Sequence, residues 1–302
     1  CLCITSPELN AVQVRNYQEA CSLAGFPEEK YMLMDYGESF YYYALGQKRE
    51  TWNRSVGWYA FSGDTVDFRK LTINGASRPV LVKLEDPIST KLDPENEIRD
   101  VEFCRFVSKT LGKELFSSVQ ITGKGFDQQW AQQSVKILCH QGRKVFYGNN
   151  LFAKGACIAV KDRLEDRKLK GYRYLSDSLV TADVGMDMRV MGSPAYYPLI
   201  EGGSNWYECN AECELILDDT EELVFVVNLP DETERKRVAM ALKGLPKRPN
   251  RTTRLALTLK YVSSKDCEIT VKDLGFGEMY PSSGKTWKEL VRWDETEERK
   301  QV

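Results

Sequence analysis

The sequence predicts an α+β protein, in which a mixed region of strands and helices precedes an all-β region. Two observations carry this prediction. Up to residue 172, stretches with a helical repeat of apolar residues alternate with short β-like runs. From residue 179 onward the apolar residues recur with a period of two, which is typical of antiparallel strands. A chain of 302 residues is long enough to bury a core in each region.

In the first region the predicted order is strand, helix, strand, helix, and then three strands followed by helix, strand, helix, strand and helix. The strands are predicted at residues 1–5, 31–34, 55–61, 66–73, 78–84, 119–122 and 145–147. The helices are predicted at residues 9–23, 38–45, 95–111, 127–138 and 151–160. Gly25 is placed as the C-cap of the first helix and Asp127 as the N-cap of the fourth.

The third helix, at residues 95–111, is predicted to be amphipathic. Its inward side chains are expected to be Ile98, Val101, Phe106 and Leu111. The residues before it, 87–94, are predicted to form a loop. The charged run at 161–172 is predicted to be a solvated helix end that leads into a linker.

The all-β region completes the domain plan. Its strands are predicted at residues 182–190, 195–200, 207–217, 223–228, 253–259 and 267–272. The plan is a first domain at 1–172, a linker at 173–180, a β-sandwich at 181–293 and a polar tail at 294–302.

Composition and charge narrow the function classes. The net charge is −2, with 42% hydrophobic and 28% charged residues, so nothing indicates attraction to nucleic acid or to a membrane surface. No apolar run approaches the roughly 20 residues that span a bilayer, and no signal peptide is recognisable, so a cytoplasmic protein is expected. Because the chain begins at Cys1, inside a predicted strand, we interpret it as a C-terminal fragment or a processed product of a longer protein.

Cysteine and histidine usage predicts no catalytic residue and no metal ligand. Nine scattered cysteines without a secretion signal indicate reduced thiols. Cys209 and Cys213 form a close pair, but a zinc site needs about four ligands and no second pair accompanies them. The single histidine, His140, follows an apolar stretch and is expected to be packed, which argues against Ser-His and Cys-His hydrolases.

The C-terminal third resembles the peptide-binding β-sandwich of DnaK-type heat-shock chaperones. Residues 242–249 read LKGLPKRP, similar to the L-x-G-I-P-x-x-P turn of that family. Two alternating strands follow, and the second ends in Lys272-Asp273, as the family's Lys-Asp does. Gly284-Lys285 resembles the closing T-G-K. The resemblance implies binding of an extended polypeptide.

The first region resembles the ribonuclease-H-like second half of an actin-like ATPase, as found in these chaperones. Residues 58–69, WYAFSGDTVDFR, align with the I-F-D-L-G-G-G-T-F-D-V-S hairpin, so that Gly63 and Thr65 match phosphate-side positions. Ala60 replaces the Asp that supports magnesium, and Asp64 stands where phosphates would bind. A carboxylate repels a triphosphate and a missing ligand weakens the metal, so hydrolysis is not expected.

The adenosine-side loop of that family is also matched. Gly123, Lys124, Gly125 and Phe126 follow a strand and precede a helix, as the family's V-G-G does. The resemblance therefore implies cofactor contacts by these four residues and by Gly63 and Thr65. It implies ATP with magnesium as the cofactor of a full-length parent, whereas this chain alone is expected to bind none tightly. The shortened stretch 86–118 leaves little of the wall that closes over adenine.

Three functions remain open from the sequence. The first is a non-catalytic or weakly nucleotide-binding DnaK-like protein that binds polypeptide or a partner protein. Its candidate contacts are Tyr196, Tyr197, Trp206 and Tyr207. The second is an ATP-dependent chaperone whose N-terminal half supplies the missing parts, and the third is an actin-like scaffold or filament protein. The whole chain also resembles a clostridial DnaK-like family of unknown function, in strings such as YGNNLF at 147–152 and DLGFGE at 273–278.

Overall fold

A computed structural model describes residues 1–176, 178–230, 232 and 234–293 of the chain. The chain divides into two compact units, Cys1–Ser176 (unit 1) and Asp177–Val302 (unit 2). The division falls inside the stretch 173–180 that the sequence predicts as a linker. The predicted polar tail, 294–302, lies outside the described residues.

Unit 1 is mixed α/β. Its strands are β1 Leu2–Ser6, β2 Tyr31–Asp35, β3 Ser55–Ser62, β4 Thr65–Asn74, β5 Val80–Leu84, β6 Ile88–Lys91, β7 Phe116–Lys124, β8 Lys144–Tyr147 and β9 Tyr172–Leu175. Its α-helices are α1 Ala11–Leu23, α2 Tyr36–Leu45, α3 Asn96–Leu111, α4 Gln132–Leu138 and α5 Leu151–Lys161. Every strand and helix that the sequence predicts in this region is present, with shifted ends.

The main sheet of unit 1 has the strand order β8-β7-β3-β4-β5-β9, and β6 pairs with β4. Strands β3, β4 and β5 are antiparallel neighbours, whereas β3, β7 and β8 run parallel. Strands β1 and β2 pair in parallel as a separate two-stranded sheet. Parallel strands end at a common sheet edge, so β3, β7 and β8 bring their carboxyl ends together.

Four details of unit 1 differ from the sequence prediction. The predicted loop at 87–94 contains β6, and the charged run leads into β9, which overlaps the predicted linker. Helix α4 begins at Gln132 rather than near Asp127, because the Asp127 carboxylate accepts from Gln129 N (2.8 Å) in a preceding turn. His140, expected to be packed, is exposed because α4 ends at Leu138.

Helix α3 is rotated relative to the predicted amphipathic face. Phe106 and Leu111 are buried as predicted, but Ile98 and Val101 are exposed. The inward positions beside them belong to two charged residues, Arg99 and Asp100. The prediction for Ile98 and Val101 is therefore wrong, and the reason lies in what Arg99 and Asp100 bind.

Unit 2 consists of two four-stranded antiparallel sheets. Its strands are β10 Asp183–Val190, β11 Ser193–Ile200, β12 Asn210–Ile216, β13 Glu222–Asn228, β14 Lys236–Ala241, β15 Arg254–Tyr261, β16 Asp266–Gly275 and β17 Thr286–Arg292. The sheet orders are β11-β10-β13-β14 and β12-β15-β16-β17. Inward residues of both sheets, such as Phe225 and Leu257, belong to one hydrophobic core.

Two strands of unit 2, β14 and β17, were not predicted. Both contain several Lys, Arg or Glu residues, so their apolar positions stand out weakly in the sequence. Each is an edge strand with one exposed side, where charged residues are common. Within the described part of the chain, no helix is long and apolar enough to cross a membrane.

Candidate functional site

The turn between β3 and β4 lies beside the end of β7. In the parallel pairing, Phe61 is aligned with Gly123 and Ser62 with Lys124. Gly63 adopts φ 62° in the two-residue turn, where glycine is favoured over other residues. The matched phosphate-side residue Gly63 and the matched adenosine-side residues 123–125 are therefore neighbours in space.

Gly123 and Gly125 are required by close backbone approach. Their φ angles are 93° and 121°. A Cβ on Gly123 would overlap the carbonyl of Phe61, and a Cβ on Gly125 would overlap the carbonyl of Gly63. The two glycines thus allow the end of β7 to press directly against the hairpin turn.

Two backbone donors of this junction, the N–H groups of Gly63 and Gly123, are already used within unit 1. Gly63 N donates to the carbonyl of Lys124 (2.9 Å). Gly123 N donates to Oδ1 of Asn149 (2.7 Å), in the segment after β8. A glycine loop binds phosphate through backbone N–H groups that point at the ligand. At Gly63 and Gly123 these N–H groups point at acceptors of the protein itself.

The side chain of Arg99, from α3, binds the β3–β4 hairpin turn. Its Nη2 donates to the carbonyl of Gly63 (2.6 Å) and its Nη1 to Oδ1 of Asp64 (3.1 Å). The guanidinium carbon lies 5.0 Å from the ring centre of Trp130, and Trp130 Nε1 donates to the carbonyl of Gly125 (3.2 Å). The Arg99 side chain therefore ties both turns together and neutralises Asp64.

Phe126 is a core residue. Its ring centre lies 5.4 Å from that of Phe61, 5.8 Å from that of Trp130 and 5.3 Å from that of Tyr147. It is buried in the hydrophobic core that α3 and the main sheet share. A stacked nucleotide base would have to displace this packing.

The remaining predicted positions lie at the surface or in the sheet. Thr65 and Lys124 are exposed, and Thr65 is aligned with Lys91 of β6. Ala60 is half-buried opposite Asp67 in the β3–β4 ladder. The Asp67 carboxylate accepts from Ser89 Oγ (2.5 Å). The structure thus brings together Gly63, Gly123, Lys124 and Gly125. Thr65 instead lies in the β4–β6 ladder, and Phe126 is part of the hydrophobic core.

The N-terminus of α2 is also occupied by the protein itself. The Asp35 carboxylate accepts from Glu38 N (2.7 Å), so a negative charge already stabilises this helix end. Tyr36 of the first turn stacks face to face on Phe152 of α5, with ring centres 3.8 Å apart. An anion approaching this end would meet a carboxylate and two aromatic rings.

A partly buried ion pair joins α2 to the helical turn that follows α5. Arg163 Nη2 donates to Oε1 of Glu38 (2.5 Å), and Arg163 Nε donates to the hydroxyl of Tyr42 (3.2 Å). Burial raises the pKa of the neighbouring Tyr41 and Tyr42 hydroxyls. These phenols are therefore neutral hydrogen-bonding groups in the physiological range.

Asp100, next to Arg99, fixes the start of α4. Its carboxylate accepts from Gln133 N (2.9 Å), Ser134 N (3.0 Å) and Ser134 Oγ (2.6 Å). Burial raises the pKa of Asp100, but the hydrogen bonds from Ser134 and Gln133 outweigh burial and leave the pKa lowered. The helix has Ala131 at its own N-cap, so Asp100 supplies the missing cap from α3.

In unit 2, the 242–249 turn is fixed by a buried bidentate ion pair. Arg248 Nη1 and Nη2 donate to the two carboxylate oxygens of Asp273, each at 2.8 Å. The Asp273 carboxylate also accepts from Ser283 N (2.8 Å) and Gly275 N (3.0 Å). Hydrogen bonding from Arg248 is the main reason that the pKa of Asp273 lies well below its usual range.

Two further bonds attach this turn to β17 and the segment before it. Trp287 Nε1 donates to the carbonyl of Lys243 (3.0 Å), and Lys285 Nζ donates to the carbonyl of Gly244. The residues that carry the sequence resemblance, the turn and the Lys-Asp strand end, are therefore joined to each other. Their contacts stabilise the fold of unit 2.

The four aromatic residues suggested as contacts fall into two groups. Tyr196 and Tyr197 lie on the edge strand β11 and are exposed. Trp206 and Tyr207 lie in the turn before β12, with ring centres 5.6 Å apart, and Trp206 packs against the core. Only the first pair is therefore on a strand edge.

The pairing of β10 leaves part of its other edge open among the described residues. β10 pairs with β11 along residues 184–190, but it pairs with β13 only along Asp183–Gly185. The far half of the β10–β11 hairpin thus extends beyond the sheet. Its tip includes Met191, which is fully exposed.

The described residues contain neither a cluster of metal ligands nor a disulfide bond. No group of three His, Cys, Asp or Glu residues in that part of the chain could hold a metal ion. All nine cysteines lie in it and are free thiols. Burial raises the pKa of Cys209 and Cys267 to about 12, which makes them unreactive.

Sequence reasoning missed Arg99, Asn149 and Trp130, three side chains that bond the backbone of the junction. No motif marks Arg99 or Trp130, and Asn149 falls in the YGNNLF string without being assigned a role there. The spacing of Phe103, Phe106 and Val107 could have indicated Arg99, because these three residues define a buried helix face that also contains position 99.

Two family models match the chain. "Family of unknown function (DUF5716) C-terminal" matches residues 1–177, and "Domain of unknown function (DUF8552)" matches residues 179–293. No curated protein sequence matches the chain significantly.

Several solved structures show a remote likeness. RuvC of Thermus thermophilus is 14% identical, with 32% of this chain and 63% of that chain covered and a TM-score of 0.26. A Bacteroides thetaiotaomicron protein with an actin-like ATPase fold and unknown function is 13% identical, with 47% and 50% covered and a TM-score of 0.29. The yeast mitochondrial Holliday junction resolvase is 9% identical, with 55% and 80% covered and a TM-score of 0.27. The chain thus spans less than two thirds of the RuvC structure.

Proposed function

The chain belongs to the family of unknown function DUF5716, C-terminal part, and we propose that it is a DnaK-like binding protein with a degenerate ATP site. In this proposal it does not hydrolyse ATP. Unit 2 binds an extended polypeptide or a segment of a partner protein.

The degenerate site rests on one observation above all. Both backbone polar groups of Gly63 are used inside unit 1, since its N–H donates to Lys124 and its carbonyl accepts from Arg99. A phosphate cradle needs such N–H groups free and no carbonyl directed at the ligand. A second support for the proposal is Ala60, which stands where the resembling family has a carboxylate that supports magnesium.

Polypeptide binding is supported by the edges of unit 2. β11 is an edge strand with exposed Tyr196 and Tyr197, and the β10–β11 hairpin extends past its pairing with β13. Exposed strand edges bind extended chains by adding a strand, and aromatic side chains supply apolar contact. Tyr196 itself covers Gly185, where a Cβ would meet its ring at 2.5 Å. Tyr197 is therefore the freer anchor.

The hydrolysis half is tested by phosphate release from ATP. The longest natural form of the protein and its Ala60→Asp variant are assayed side by side with magnesium. Both are expected at background, because Arg99 and Asp64 still occupy the turn in the variant. Turnover by the unmodified protein at the rate of a working chaperone would refute the degenerate-site proposal.

The binding half is tested by fluorescence anisotropy with a labelled, permanently unfolded protein. Tyr197→Lys places a charge on the β11 edge and is expected to weaken binding by about tenfold. Tyr147→Lys, on the edge strand β8 of unit 1 and comparably exposed, is the matched control and should change nothing. Equal effects of the two substitutions, or none for Tyr197→Lys, would contradict binding at this edge.

A further inference from the structure

The turn between β4 and β5 contains an asparagine that is followed by a glycine. Asn74 is the last residue of β4, and Gly75 is the first residue of the turn. Of all the asparagines in the chain, only Asn74 precedes a glycine. Asn74, Gly75 and Ala76 are exposed, so water reaches both the Asn74 side chain and the peptide link that follows it.

The conformation of this turn does not require a glycine at position 75. Gly75 is not among the glycines with a positive φ, and a Cβ built on it would meet no heavy atom within 4 Å. Gly123 and Gly125 differ, because a Cβ at either position would overlap a backbone carbonyl. The consequence of glycine at position 75 is therefore chemical, since no side chain shields its backbone nitrogen.

The turn also holds the side-chain amide of Asn74. Ala76 N donates to Oδ1 of Asn74 (3.0 Å), so the amide is folded back over the Gly75 peptide link. The hydrogen bond polarises the Cγ–Oδ1 bond and makes Cγ more electrophilic. The same N–H is placed to stabilise the negative charge that develops on Oδ1 when a nucleophile attacks Cγ.

We propose that Asn74 is a site of spontaneous deamidation, with the backbone nitrogen of Gly75 as the nucleophile. This nitrogen gives its proton to hydroxide and forms a bond to Cγ of Asn74. The bond from Cγ to the amide nitrogen breaks, and that nitrogen takes up a proton from water and leaves as ammonia. The resulting succinimide ring is opened by one water molecule at either carbonyl, which yields aspartate or isoaspartate. The proposal depends on neither ATP hydrolysis nor polypeptide binding by unit 2.

The modification changes the charge and the backbone of the turn. Either product places a carboxylate beside Arg78, whose Nη1 donates to the carbonyls of Gly75 (3.0 Å) and Ser77 (2.9 Å). Isoaspartate also adds one carbon atom to the backbone where β4 ends opposite Leu81. We therefore expect the modification to loosen this end of the β4–β5 ladder.

The test is incubation of the whole chain at pH 8, followed by peptide mapping with mass spectrometry and by methylation of isoaspartate with a protein isoaspartyl methyltransferase. The peptide that contains Asn74 is expected to deamidate at least about tenfold faster than the peptide that contains Asn250. Asn250 is the matched control in the same chain. It is exposed and its Oδ1 accepts from Asp219 N (2.7 Å), but Arg251 follows it.

Gly75→Ala places a methyl group beside the nucleophile and is expected to slow the reaction of Asn74 by about tenfold or more. The variant should fold, because the added Cβ has free space, and Gly171→Ala, where a Cβ is equally free, should leave the rate unchanged. The amide NMR spectrum of each variant reports whether it is folded.

Three outcomes would overturn the proposal. The first is equal rates at Asn74 and Asn250, and the second is an unchanged rate at Asn74 in Gly75→Ala. The third is reaction of Asn74 only after the chain is unfolded in urea, because the folded turn would then protect this residue.

Discussion

At the scale of single residues, ion pairs in this protein differ sharply in how they are surrounded. The Arg248 and Asp273 side chains are 6% and 0% exposed, and they share two hydrogen bonds. The pair of Arg237 and Asp187 is more than half exposed on both sides. Removing one partner of a buried pair leaves an uncompensated charge, whereas an exposed charge regains water.

Asp273→Asn is expected to lower the free energy of unfolding of unit 2 by about 3–5 kcal/mol near neutral pH. Asp187→Asn, the exposed counterpart, should change it little. Urea unfolding of the two variants and the unmodified chain measures the difference. Similar losses in the two variants would show that burial does not decide the strength of these pairs.

The same pair predicts how stability depends on pH. The pKa of Asp273 is lower in the folded state than its usual value, so its stabilisation is complete above the unfolded pKa, near 3.9. The stabilisation is lost as the pH falls below that value toward the folded pKa. Urea unfolding between pH 5 and 2 should therefore show a shallower loss for Asp273→Asn than for the unmodified chain. A parallel decline would contradict the lowered pKa.

Glycines at the junction of the β3–β4 turn and β7 can be tested individually. Gly123→Ala forces a positive φ and an overlap with the carbonyl of Phe61, and it should destabilise unit 1 by at least about 2 kcal/mol. Gly148→Ala, whose Cβ would lie 3.7 Å from its nearest neighbour, should change stability by less than about 0.5 kcal/mol. Thermal unfolding of both variants makes the comparison, and tolerance of Gly123→Ala would contradict the close approach.

These residues also show what the sequence could and could not predict about the site. Gly63, Gly123 and Gly125 are recognisable as turn residues from the sequence, and they are neighbours in the structure. The side chains that close the turns, Arg99 and Asn149, come from segments remote in sequence. No local pattern reports such a contact, because it depends on how α3 and the segment after β8 pack on the sheet.

At the scale of elements, α3 shows how specific polar contacts override an apolar pattern. Its sequence favours inward Ile98 and Val101, yet Arg99 and Asp100 face inward. Arg99 bonds the β3–β4 turn and Asp100 caps α4. Phe103, Phe106 and Leu111 still provide the buried apolar face, so the rotation leaves the core filled.

Substitutions on the inward face of α3 should therefore lower stability, whereas substitutions on its exposed face should change stability little. Asp100→Ala removes the acceptor for the first N–H groups of α4 and should cost about 1–3 kcal/mol. Ile98→Lys, at an exposed position, should change stability by less than about 0.5 kcal/mol. Chemical unfolding of the two variants tests the rotation of α3. A larger loss of stability for Ile98→Lys than for Asp100→Ala would indicate that the face predicted from the sequence is the buried one.

The four strands that the sequence does not predict are short or lie at sheet edges, although the short edge strand β8 is predicted. β6 and β9 have four residues each, and β14 and β17 are edge strands with many charged side chains. Such strands bury few side chains, so the period of two is weak in their sequences. The longer strands are predicted by the sequence: β15 and β16 bury alternate residues, and β3 buries a continuous apolar run.

At the scale of the whole molecule, structure and family models divide the chain at nearly the same place. The compact units meet at residues 176 and 177, and the two family models end at 177 and begin at 179. The proposed functions separate in the same way, with the degenerate ATP site and its closed turns in unit 1 and a strand edge in unit 2. A working chaperone would instead couple ATP in one part to polypeptide affinity in the other.

The most direct measurement is the affinity for a labelled, permanently unfolded protein with and without ATP and magnesium. The account predicts saturable binding whose Kd differs by less than about twofold between the two conditions, because the proposed degenerate site provides no ATP-dependent state that would shift it. A change of Kd by about tenfold or more on adding ATP would contradict the central claim. So would the absence of any binding by the unmodified chain.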